Sequence, residues 1–65
     1  MTKDRAKWIR KTLGSNQTEF AVQLGLRPLA SQVSRFENGA PIVGSTLAMY
    51  REMEKKAERR QRRMN

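Results

Sequence analysis

Cysteine and histidine are both absent from the 65 residues, and proline occurs only at Pro28 and Pro41. Their absence excludes disulfide staples, thiol nucleophiles, the usual zinc sites and imidazole acid–base chemistry. Aromatic side chains are limited to Trp8, Phe20, Phe36 and Tyr50. No apolar run approaches the roughly 18 residues of a membrane helix, and no charged-then-apolar leader precedes a cleavage site. A cytoplasmic chain without membrane association is therefore expected. The carboxylates, lysines and hydroxyls that remain show no convincing catalytic spacing, so neither an enzyme nor a cofactor, metal or small-molecule substrate is expected. At this length the chain holds one small domain, whose core supplies only about 3–5 kcal/mol unaided.

Acidic residues are also scarce. Six of them face fourteen Lys and Arg, for a formal charge of +8. The excess sits at the two ends. Residues 1–13 carry a net +4 and residues 51–65 another +4, while 14–50 balance to zero. Such a distribution favours a polyanionic partner, because cations that neutralise phosphates release condensed counterions. The simpler reading, that the charge only keeps a small protein soluble, explains less of an excess this large in so short a chain.

The apolar pattern has a helical period throughout, with no sustained two-residue alternation. Ala6, Ile9 and Leu13 make one stripe over about 3–13, and Gly14 supplies a stop. Asn16 and Glu19 have the spacing of a capping box, which opens a second helix with Phe20, Ala21 and Leu24 inward and Gly25 at its end. Leu26 to Leu29 form a turn around Pro28. A third helix, roughly Leu29 to Glu37, turns Val33 and Phe36 inward and closes at Asn38-Gly39. The fourth starts between Ile42 and Ser45 and meets no Gly or Pro after Gly44. Its last two turns are expected to fray, since Arg59 to Asn65 offer almost no apolar face. The fold class expected is all-α: a compact helix-turn-helix bundle of about four helices, with a domain at 1–54 and a basic extension at 55–65.

Residues 17–39, QTEFAVQLGLRPLASQVSRFENG, carry a resemblance. Gln17 opening the second helix, Ala21 within it, Gly25 at the turn and the run Val33-Ser34-Arg35-Phe36-Glu37-Asn38-Gly39 resemble the Cro/cI-type (XRE) helix-turn-helix of phage and bacterial transcriptional regulators. Pro41 and Val43 also fall where that family often has Pro and an aliphatic residue. The likeness spans about residues 5–54. The chain departs from the pattern in two ways: two more residues between Gly25 and Ser34, with Arg27-Pro28 as the inserted pair, and a long basic tail where a fifth packed helix is common. The resemblance implies a small repressor of viral or mobile-element origin, working in the bacterial cytoplasm or nucleoid.

The residue types fit that implication. A helix entering a major groove about 12 Å wide must be slim and must offer donors and acceptors to base edges. Ser31, Gln32, Ser34 and Arg35 meet both conditions, with Gln32 suited to adenine and Arg35 to guanine. Arg35 has competing uses in a local pair with Glu37 or a phosphate contact, and the others are equally compatible with ordinary surface positions. Glu37 itself suits an intramolecular ion pair. Phosphate contacts are expected from Gln17, Asn38, Arg27, Arg10 and Lys11. One module reads one half-site, so a homodimer on double-stranded DNA is expected, with Tyr50, Met53 and Met49 as its apolar interface. Two alternatives stand beside this one: an RNA binder acting through the arginine-rich C-terminal helix, and a protein-docking antitoxin or adaptor.

Overall fold

The computed structural model describes residues 1–25 and 30–64. Four helices and no strand are present among them: α1 (Lys3–Thr12), α2 (Gln17–Gln23), α3 (Ala30–Glu37) and α4 (Gly44–Met64). The all-α bundle expected from the periodicity is what forms. The turn at Leu26 to Leu29, with its inserted Arg27-Pro28, lies outside the described residues.

Three of the helices, α1, α2 and α3, start or stop where a side chain satisfies free backbone groups. Thr2 caps α1, its Oγ1 accepting from the Arg5 N–H at 3.2 Å. The capping box at α2 is complete: the Glu19 N–H donates to Asn16 Oδ1 at 2.8 Å, and the Asn16 N–H donates to Glu19 Oε1 at 3.1 Å. Gly25 follows α2 at φ +75°, a left-handed conformation that a Cβ would strain, so the chain turns there. After α3, Gly39 takes φ +109° for the same reason.

The core draws on every helix. Ala6 and Ile9 come from α1, Phe20 and Ala21 from α2 with Leu24 beside it, and Val33 from α3. Ile42 and the α4 residues Tyr50, Met53 and Ala57 complete it. Tyr50, Phe20, Ile9 and Val33 are the largest fully buried side chains, and Phe20, Ile9 and Val33 each contribute about 1.5–3 kcal/mol by leaving water. Trp8, Leu13, Phe36, Leu47 and Met49 pack around this cluster, partly exposed. Contact is most extensive between α2 and α3, while α1 spans the bundle by touching both α3 and α4.

Two expectations change here. Tyr50 is 0% exposed and Met53 only 7%, so neither can be an apolar anchor for a second copy; both fill the core of their own chain. A helical stripe has the same spacing whether it packs within a chain or between chains, which is why the sequence pattern did not separate the two. The packed region also runs past residue 54. Ala57 is fully buried, and the helix continues unbroken through Met64 although residues 58–63 are exposed.

No helix among the described residues is long and apolar enough to cross a membrane.

Candidate nucleic-acid interface

α3 presents its small and hydrogen-bonding residues away from Val33. Ser31 and Arg35 are exposed, Gln32 and Ser34 half-buried. Val33 and Phe36, three residues apart, hold the opposite side of the helix against the core. Phe36 meets the Tyr50 ring edge-on at 5.9 Å, and Phe20 meets it from α2 at 5.5 Å. Three aromatic rings thus set the seat of α3 on α2 and α4.

A buried fork sets its far end. Arg10 Nε donates to Glu37 Oε2 at 2.7 Å and Arg10 Nη2 to Glu37 Oε1 at 3.0 Å, while Nη1 donates to the Ser15 carbonyl at 3.1 Å. The two side chains are 14% and 5% exposed. Glu37 therefore makes an intramolecular ion pair, as its setting implied. Arg10, expected at a phosphate, is instead committed to α3 and the α1–α2 turn. Donating to Glu37 raises its pKa above the ordinary arginine value, so the charge is permanent. The sequence carried a signal for this: Arg10 lies one turn beyond Ala6, on the inward side of α1.

Arg35 has no ion pair among the described residues; Glu37, two positions on, lies about half a turn round α3, where it is held by Arg10. Asn38, another expected phosphate ligand, turns its amide nitrogen back to the Ser34 carbonyl at 2.7 Å and so caps α3. Gln17 is half-buried in the first turn of α2 and Lys11 is exposed near the end of α1. Arg27 lies outside the described residues. Met49 is half-buried against the core.

Arg5 was not singled out by the sequence pattern, yet it ties α1 to α4. Its Nε donates to Glu54 Oε2 at 2.8 Å, its Nη2 to Glu58 Oε2 at 3.4 Å, and its guanidinium lies 4.0 Å from the Trp8 ring centre. Hydrogen bonding from Arg5 holds the Glu54 carboxyl below its usual pKa, so the pair persists at neutral pH. A separation of 49 residues left no local signal for it. On α4 itself, Arg51 pairs with Glu54 and Lys55 with Glu52.

No family model, curated protein or solved structure matches the chain.

Proposed function

We propose that this chain is a sequence-specific double-stranded DNA-binding transcriptional regulator of the Cro/cI type, a repressor that binds an operator with two half-sites as a homodimer. The observation that carries the reading is the outward face of α3: small or amide side chains with one cation, Arg35, which has no ion pair among the described residues. Such a surface is thin enough for a major groove and retains a free guanidinium for a guanine edge. Gln32 supplies the adenine-type pairing, Ser31 and Ser34 supply adaptable hydroxyls, and Gln17 and Lys11 remain available for phosphates. The copy-to-copy surface excludes Tyr50 and Met53, which the core consumes.

Selection of bound sequences from random duplex DNA tests the reading. The expected product is a two-fold symmetric site with half-sites about 34 Å apart. Arg35→Ala should weaken binding to that site by about 1–3 kcal/mol and relax preference at one base pair, with Gln32→Ala doing so at another. Enrichment of no sequence, or loss of affinity without loss of preference in both variants, would refute it.

A further inference from the structure

The second half of α4 forms a cleft with the end of α1, lined by Leu13, Lys56, Arg59, Arg60 and Arg63. We infer that this cleft is a second, sequence-blind nucleic-acid site, which holds consecutive phosphates of one duplex strand. It rests on the proposed function only for the choice of duplex DNA as the partner.

Its charge is unopposed. Lys56, Arg59, Arg60 and Arg63 stand at i, i+3, i+4 and i+7, which is one face of a helix. Glu54 and Glu58 are two residues out of step with Lys56 and Arg60, about half a turn round, where they hold Arg5. Glu52 pairs with Lys55 a turn earlier. None of the four cleft cations has a carboxylate partner among the described residues.

Its position is fixed as well. Arg60 Nη1 donates to the Leu13 carbonyl at 3.3 Å, at the C-terminal end of α1 where the helix dipole favours a cation. This bond joins the exposed end of α4 to the folded body.

The chemistry selects phosphodiester over an acidic protein. Three of the four cations are arginine, whose planar fork matches phosphate oxygens in pairs. Seven residues of helix cover about 10 Å, and one strand advances about 3.4 Å per phosphate along the duplex axis, so the row is long enough to meet about two to three neighbouring phosphates. A protein partner would want an aromatic or aliphatic pocket for its anchoring side chains, and Leu13 alone supplies no such pocket.

The test is the salt dependence of binding by the full chain. A random-sequence duplex and the selected operator are titrated with wild type and with the K56Q/R59Q/R60Q/R63Q variant, helicity being checked by circular dichroism. The variant is expected to weaken both duplexes by the same factor and to lower the log–log salt slope by about 3. R51Q/K55Q, which removes cations already paired on the same helix, should leave the slope almost unchanged. Should the fourfold variant lose helix, K56Q and R59Q singly are each expected to lower the slope by about 0.9. An unchanged slope overturns the site while leaving base reading by α3 intact. Loss of sequence preference in wild type, with a slope that still depends on the four cations, sinks the α3 reading and leaves this site standing. A larger loss for an RNA hairpin or for polyglutamate than for duplex DNA also overturns it.

Discussion

Tyr50 shows how one side chain can serve packing at the expense of a polar atom. Its ring is wedged between Phe20 and Phe36, and its hydroxyl is buried without a hydrogen-bond partner among the described residues. An unsatisfied buried hydroxyl is destabilising, so Tyr50→Phe should raise stability by about 1 kcal/mol while the aromatic contacts persist. Burial, and then the nearby Glu37 charge, push the Tyr50 pKa from 10.0 up to about 12. The neutral phenol is the form the fold favours. The stability linked to it is therefore complete below pH 10 and is lost between 10 and 12, where the unfolded chain ionises first. Thermal melts across that window should show a steep decline in wild type and a shallower one in the Phe variant; parallel curves would mean that the hydroxyl reaches solvent. The sequence placed Tyr50 on the right stripe, but spacing alone carries no information about which surface that stripe meets.

Between elements, the Arg10–Glu37 fork is the joint that fixes α3 to α1. Removing Glu37 alone leaves a largely buried guanidinium without its counter-charge and should cost about 3–5 kcal/mol. The double change Arg10→Met with Glu37→Leu should be far milder, because it removes both desolvation penalties together. Chemical denaturation of the single and double variants measures this difference. Equal losses would show that the pair contributes through packing alone. Local chemistry made the helix ends readable: the Asn16–Glu19 box and the glycines at 25 and 39 act over three or four residues. The long-range ties were not readable, since nothing in the spacing of Arg5 and Glu54, or of Arg10 and Glu37, pairs these residues until the helices are docked.

Across the whole molecule, the fold class was legible because α1 and α3 each present a stripe at helical spacing and no segment alternates. The candidate α3 face was legible for the same reason, as the complement of Val33 and Phe36. Two of the expected phosphate ligands were not, because a cation or amide near a helix end has backbone and intramolecular partners competing for it. With so small a core, stability should depend visibly on polyanion. Saturating duplex DNA should raise the melting midpoint in proportion to the logarithm of its concentration, and more at low salt than at high. A midpoint indifferent to DNA would count against the proposal that the folded chain binds duplex DNA. The unbroken run of α4 from buried Ala57 into exposed residues has a further consequence for how such a chain changes over generations. Substitutions in the far turns leave the core undisturbed, whereas the inner turns that hold Tyr50 must stay almost as they are.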